Sequence, residues 1–283
     1  MDTPERSAEE QLEMLGDVAV LHLAADAFVD LEPRQRVVAY HLGRAAVLGD
    51  PILWAQRTAH GLELKQLVEA VASVRASLAE PLRGKVERFA QQIVLHKGVV
   101  DTWTGRKLAF ELTPDELRQA SIAARRARAL PPAIATGADL DRLLAVLRPV
   151  LFDPDVGTTR PAPHARATQD ELRGVVDELR AAQELADPPG KQAIKALADY
   201  LTTREPSAQR RYSAAFVADN APVQAAIGFF DTHGALADSG AFSAGVFLVS
   251  AAQSEVYAKL GSKVASMAEA LPWPQGHRLP TWG

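Results

Sequence analysis

The 283-residue sequence contains no cysteine. Disulfides, thiolate zinc sites and cysteine nucleophiles are thereby excluded together, and the composition is compatible with a reducing compartment. A dominant charge of one sign is also missing. Lys and Arg number 31 against 35 Asp and Glu, a formal net charge of -4. Nucleic-acid binders usually carry a clear basic excess, so nucleic acid is not an expected partner. No run reaches the ~18 uninterrupted apolar residues of a membrane-spanning helix. The start, Met1-Asp2-Thr3-Pro4-Glu5, lacks the charged-then-apolar layout of a signal peptide. No membrane partner is expected, and the expected location is the cytoplasm. Several motifs of catalysis are absent too: H-E-x-x-H and H-E-x-x-x-H, the P-loop, G-x-G-x-x-G and G-x-S-x-G. The seven histidines, His22, His41, His60, His96, His164, His233 and His277, are scattered. No metal ligand and no catalytic residue is assigned from the chain, and no cofactor is expected.

What is present reads mostly as helix. Leu12, Leu15, Val18, Leu21 and Ala25 recur at helical spacing and predict a first helix. Pro33 opens a second, carrying Val37, Val38, His41, Leu42, Ala45 and Leu48, and Gly49-Asp50-Pro51 stops it. Leu62 to Leu78 and the group Val86, Phe89, Ile93 and Val94 give two more. Thr113-Pro114-Asp115-Glu116 and Thr168-Gln169-Asp170-Glu171 are capping boxes, in which a hydroxyl and a carboxylate three residues on satisfy the first free N–H groups. Pro188-Pro189-Gly190 marks a short break between helices. After Pro222 the pattern changes. Ala226 to Phe230 and Ala241 to Val249 are short apolar or small-residue runs around a Gly234 to Gly240 turn, which predicts two strands. Helix returns from about Gln253 to Leu271. The expected fold is therefore mainly α, with a small β element of two or more short strands near residues 224-250. The connector from Phe152 to Arg166 divides a helical N-terminal part, 1-151, from a second part, 167-283, of helices plus short strands; the two are also compatible with one continuous domain.

Two side-chain groups invite a functional reading. Arg118, Arg125, Arg126 and Arg128 form a basic run. It is either a phosphate or partner patch or, more simply, a solvated helix end, where cations suit the helix dipole. Trp54 and Trp103 are expected in the core, whereas Trp273, between Pro272 and Pro274, is expected in a stiff extended tail as a candidate docking residue.

Three segments carry a resemblance. Leu31-Glu32-Pro33-Arg34-Gln35-Arg36-Val37-Val38-Ala39-Tyr40-His41-Leu42-Gly43-Arg44-Ala45-Ala46 is similar to the L-S-P-x-E-R-x-x-A-Y-H-L-S-R-A-A stretch of the zinc dipeptidyl peptidase III family. Ile227-Gly228-Phe229-Phe230-Asp231-Thr232-His233 resembles that family's I-G-F-I-E-x-Y, and Leu271-Pro272-Trp273-Pro274 resembles a helix end of the form L-P-W-P. Their order and rough spacing match, and helices such as Leu172 to Leu201 resemble the family's intervening segments, so the resemblance spans nearly the whole chain. It implies the N-terminal, substrate-binding lobe of a much longer two-lobed zinc aminopeptidase that releases dipeptides from short peptides. The zinc segment H-E-L-L-G-H and its further glutamate ligand are not in this sequence. Without them no zinc-bound water is activated, so the chain alone is not expected to be an active peptidase.

The resemblance also places the site. In the family the glutamate of I-G-F-I-E-x-Y holds the peptide's free amino group, and the tyrosine helps with the scissile carbonyl. Those positions are Asp231 and His233 here. Aspartate keeps the charge with one methylene less reach, and histidine keeps a donor but loses the phenol's length. The family's D-P-x-G turn is replaced by Gly234-Ala235-Leu236-Ala237-Asp238-Ser239-Gly240. The expected function is a non-catalytic peptide-binding or protein-interaction protein, a pseudoenzyme whose ligand is a short peptide N-terminus. One alternative is the substrate-binding half of a split dipeptidyl peptidase whose partner chain supplies the zinc ligands. Another is an enzyme of unrelated chemistry on the same helical scaffold, since fold does not fix function. Two lone strands leave open edges unless something covers them. A homo-oligomer or a second protein chain is therefore an expected partner, with Gly245-Val246-Phe247-Leu248-Val249 as the exposed strand.

Overall fold

A computed structural model describes residues 12–16, 18–21, 25–58, 60–156, 165–230 and 241–272. Helix makes up 67% and strand 10%, with two small two-stranded antiparallel sheets, so the fold is mainly α with a small β element. The first sheet pairs β1 (Leu12–Leu15) with β2 (Val18–Leu21). This replaces the helix expected from Leu12 to Ala25. A three-residue apolar spacing suits a helix face, but it equally places Leu12 opposite Leu21 and Leu15 opposite Val18 in a hairpin. Gly16 decides between them: its φ of 60° suits a tight hairpin turn and breaks a right-handed helix.

The helices follow as α1 (Pro33–Leu48), α2 (Asp50–Arg57), α3 (Gly61–Ser73), α4 (Leu82–His96), α5 (Pro114–Arg126), α6 (Gly137–Phe152), α7 (Ala165–Leu185), α8 (Pro188–Thr203) and α9 (Pro206–Val217). Gly49-Asp50-Pro51 does end α1, but Pro51 lies within the first turn of α2, where its missing N–H costs nothing. The Thr113 capping box is formed: the Thr113 hydroxyl accepts from the Glu116 N–H, and the Glu116 carboxylate accepts from the Thr113 N–H at 2.9 Å. The second box does not start its helix. α7 begins at Ala165, ahead of Thr168, because Ala165-Arg166-Ala167 are strong helix formers. The second sheet joins β3 (Val223–Phe230) to β4 (Ala241–Leu248), and the expected turn between them lies outside the described residues. The expected last helix is split into α10 (Ala251–Gly261) and α11 (Val264–Ala270) after Gly261, a weak helix former.

The chain divides into two compact units, residues 1–24, 44–178 and 226–245 in the first, and 25–43, 179–225 and 246–283 in the second. The first unit has a continuous apolar core. Trp54 of α2, Leu64, Leu67 and Val71 of α3, and Val86, Phe89 and Ile93 of α4 meet Leu117, Ala120 and Ala124 of α5 and Leu140, Leu143 and Leu147 of α6. Small Ala120 and Ala124 let α5 lie close to its neighbours, and Ser121, fully buried there, returns its hydroxyl to the Leu117 carbonyl at 2.7 Å. Lys107 secures the end of α6: its ammonium donates to the carbonyls of Pro149, Asp153 and Val156. The second unit is built on α8 and α9. Tyr200 and Tyr212 stack with centroids 6.1 Å apart, and the Tyr212 hydroxyl donates to the Ala225 carbonyl at 3.1 Å. No helix among the described residues is long and apolar enough to cross a membrane.

Candidate functional site

Asp231 and His233 lie outside the described residues. What is described is the pair of strand ends that flank them in the chain. β3 ends at Phe230, immediately before Asp231, and β4 starts at Ala241. Both ends belong to the first unit. Ile227, Phe229, Ala241 and Phe242 are buried, and the rings of Phe229 and Phe242 meet edge to face at 5.5 Å. Edge-to-face contact aligns the positive rim of one ring with the negative face of the other. It joins the end of β3 to the start of β4.

Phe242 is the anchor. Its N–H donates to the Gln56 side-chain oxygen at 2.8 Å, and Gln56 is itself buried on α2. Its ring fills the space above Gly49, where a Cβ would stand 2.2 Å from ring carbons Cε1 and Cζ. Gly49 has φ -83° and ψ -13°, a conformation open to any residue, so the glycine is required for space and not for backbone freedom. The glycine between α1 and α2, the amide of α2 and the two phenylalanines thus fix both roots of the segment carrying the expected site. None of these supports was legible in the sequence, except that Gly49 was read as a helix stop. Gln56 has no local signature, because its partner lies 186 residues away.

A second polar cluster lies in the same unit. His96, at the end of α4, is 5% exposed. Its Nδ1 accepts the Thr102 N–H at 3.1 Å, which leaves the proton on Nε2, and Nε2 lies 3.9 Å from the Asp101 carboxylate. Arg57 donates to the Thr102 hydroxyl at 3.2 Å, and burial lowers the Arg57 pKa. Asp101 accepts the N–H groups of Trp103 and Thr104 at 2.9 and 2.7 Å, and the Thr104 bond leads the causes that hold its carboxyl below the usual value. Burial lowers the His96 pKa, against the pull of Asp101 and with the help of Arg57. Trp103, expected in the core, is 65% exposed and meets the His96 ring edge to face at 5.3 Å. The short polar loop that carries it is tied down through its backbone, so its side chain is left outside. This cluster resembles a Thr–His–Asp relay only in composition. At 3.9 Å the His–Asp pair is too long for a hydrogen bond, and Nδ1 is already occupied by a backbone N–H. It fastens the 98–107 loop to α4.

Two grooves in this unit are smaller than the roughly 300–1,000 Å³ of ordinary ligand sites. One, about 170 Å³, lies between α5 and α6 beside the Arg118–Asp141 ion pair, and the other, about 270 Å³, beside Lys107 and Phe152. Arg118 pairs with Asp141 at 2.9 Å, and Arg125, Arg126 and Arg128 are exposed at the end of α5. Among the described residues no group of three or more His, Asp or Glu side chains is arranged to hold a metal ion.

No family model and no curated protein matches the chain by sequence. Among solved structures it is similar to DPP III from Caldithrix abyssi, with a TM-score of 0.54 and 18% identity over 92% of this chain and 47% of that one. The chain thus has a DPP III-like fold and spans about half the length of the structure it matches. An identity of 18% carries the scaffold and no activity.

Proposed function

We propose that this chain is a peptide-binding lobe on a DPP III-like scaffold, in which Asp231 receives the free amino group of a short peptide and His233 donates to a peptide carbonyl. The observation that carries the reading is the support built around the ends of the 231–240 segment. A buried Phe229–Phe242 pair and a buried Gln56 hydrogen bond hold the strand ends that flank residues 231–240 in the chain. The sequence lacks H-E-x-x-H and H-E-x-x-x-H, so the function assigned to this chain's own residues is binding and positioning.

A charge-assisted hydrogen bond from an ammonium group contributes about 1.5–3 kcal/mol. Asp231→Asn keeps the size and removes the charge. It is expected to weaken binding of a free-amino tetrapeptide roughly 10- to 100-fold, measured by calorimetry on the purified chain. Equal affinity in the variant would refute the assignment of Asp231.

The 47% coverage of the similar structure favours a second reading, in which this lobe acts together with a zinc-bearing partner lobe. The lobe would then position substrate for chemistry performed on the partner, a contribution that can be a large share of rate enhancement. Co-expression with a chain that carries the zinc motif, followed by assay of dipeptide release, separates the two readings.

A further inference from the structure

The groove between α5 and α6 is lined by four charged side chains, and they are not used alike. Arg118 and Asp141 close on each other at 2.9 Å, across from one helix to the other. Asp115, one turn before Arg118 on α5, and Arg148, two turns after Asp141 on α6, line the same groove. Neither has an ion-pair or hydrogen-bond partner among the described residues. The rest of the lining is apolar: Leu117 is buried there, and Leu144 and Phe152 are half-buried. One carboxylate and one guanidinium thus share an apolar groove without pairing. A few convergent polar groups on an apolar lining are the composition of a small-molecule site.

We infer that this groove binds a small zwitterion with an apolar side chain, the chemistry of a free apolar amino acid. The argument is charge complementarity joined to size. Arg148 takes the carboxylate, which its planar fork of N–H groups matches, and Asp115 takes the ammonium group, which donates to it. The ligand's side chain lies against Leu117, Leu144 and Phe152. An apolar cavity of roughly 150 Å³ holds a benzene-sized molecule, so a groove of about 170 Å³ holds one aliphatic or aromatic side chain and has no room for a longer peptide. A ligand that carries only one of the two charges satisfies only one of the two partners, and selection against blocked amino acids follows. The groove belongs to the first unit and uses neither Asp231 nor His233, so the inference does not rest on the peptide reading.

Titration of the isotope-labelled chain with L-leucine, N-acetyl-leucine and leucinamide, followed by the amide chemical shifts of α5 and α6, tests it. Leucine at millimolar concentration is expected to shift amides around Leu117 and Leu144. Each blocked form should bind at least ~10-fold more weakly, because it loses one charge-assisted contact. Arg148→Gln should abolish the preference over leucinamide, and Asp115→Asn the preference over N-acetyl-leucine. Both side chains are exposed, so the helical circular dichroism signal should not change. Asp231→Asn should leave the response intact, which separates this groove from the proposed peptide site. No shift on α5 and α6 with leucine, equal binding of the three probes, or a response that survives both groove variants would overturn the inference. So would a response lost in Asp231→Asn and kept in Arg148→Gln.

Discussion

Gly49→Ala is the sharpest test of how the candidate site is held. The added Cβ would stand 2.2 Å from two ring carbons of Phe242, whereas carbon atoms in contact rest at about 3.5–4.0 Å. Something must move by more than about 1 Å, and little can. Phe242 is 2% exposed, its ring meets Phe229, and its N–H is fixed to Gln56. Overpacking of this kind costs about 1–3 kcal/mol. Alanine is tolerated at φ -83° and stiffens the unfolded chain, which offsets about 0.4–1 kcal/mol. The net loss is about 1–2 kcal/mol, a fall in Tm of roughly 2–4 °C. Calorimetric melting of Gly49→Ala, Phe242→Leu and the double variant gives a cycle. The smaller side chain should accept the new methyl group, so the double variant should be more stable than the sum of the single losses by about 1 kcal/mol. A Gly49→Ala protein as stable as wild type, or strictly additive losses, would refute the packing described.

Two further outcomes are expected. Burial lowers the His96 pKa below the ~6.5 of an unfolded histidine, so between those values the unfolded chain binds more protons. The stability linked to His96 is therefore complete above about pH 6.5 and is lost as pH falls through the folded value; His96→Gln should flatten that part of the curve of Tm against pH, and an unchanged slope would show that His96 does not titrate on unfolding. Thr113→Ala removes the hydroxyl that accepts from the Glu116 N–H, and a loss of about 1 kcal/mol in denaturant unfolding is expected, partly recovered by Thr113→Ser, whereas no loss would mean the cap is replaced by water.

Local chemistry explains most of what could be read before the structure. The α5 capping box, Pro33 at the start of α1 and the prolines opening α8 act through neighbours a few residues away, so their signals are complete in the sequence. The β3 and β4 runs were visible from composition and glycine boundaries. The β1–β2 hairpin was hidden because its apolar spacing satisfies helix and hairpin alike, and one glycine conformation decides between them. The start of α7 was misplaced because a capping motif can occur inside a helix when the residues before it are strong helix formers. The supports of the two strand ends are not local in the sequence, apart from Gly49 as a helix stop. Gln56 reaching Phe242, and Gly49 admitting its ring, depend on two chain segments meeting in space. Trp103 stands outside the core because its backbone lies in a loop bound through Asp101 and His96, and the side chain follows that backbone.

The central claim is that the lobe reads a free peptide amino group, and the direct measurement is calorimetric titration of the purified chain with a tetrapeptide and with its N-acetylated twin. Acetylation removes the charge and caps the nitrogen with a small acyl group while leaving the rest of the peptide unchanged. The account expects the free peptide to bind at least ~10-fold more tightly, the equivalent of about 1.4 kcal/mol. Equal binding of both peptides, or of neither by a folded sample, would contradict it.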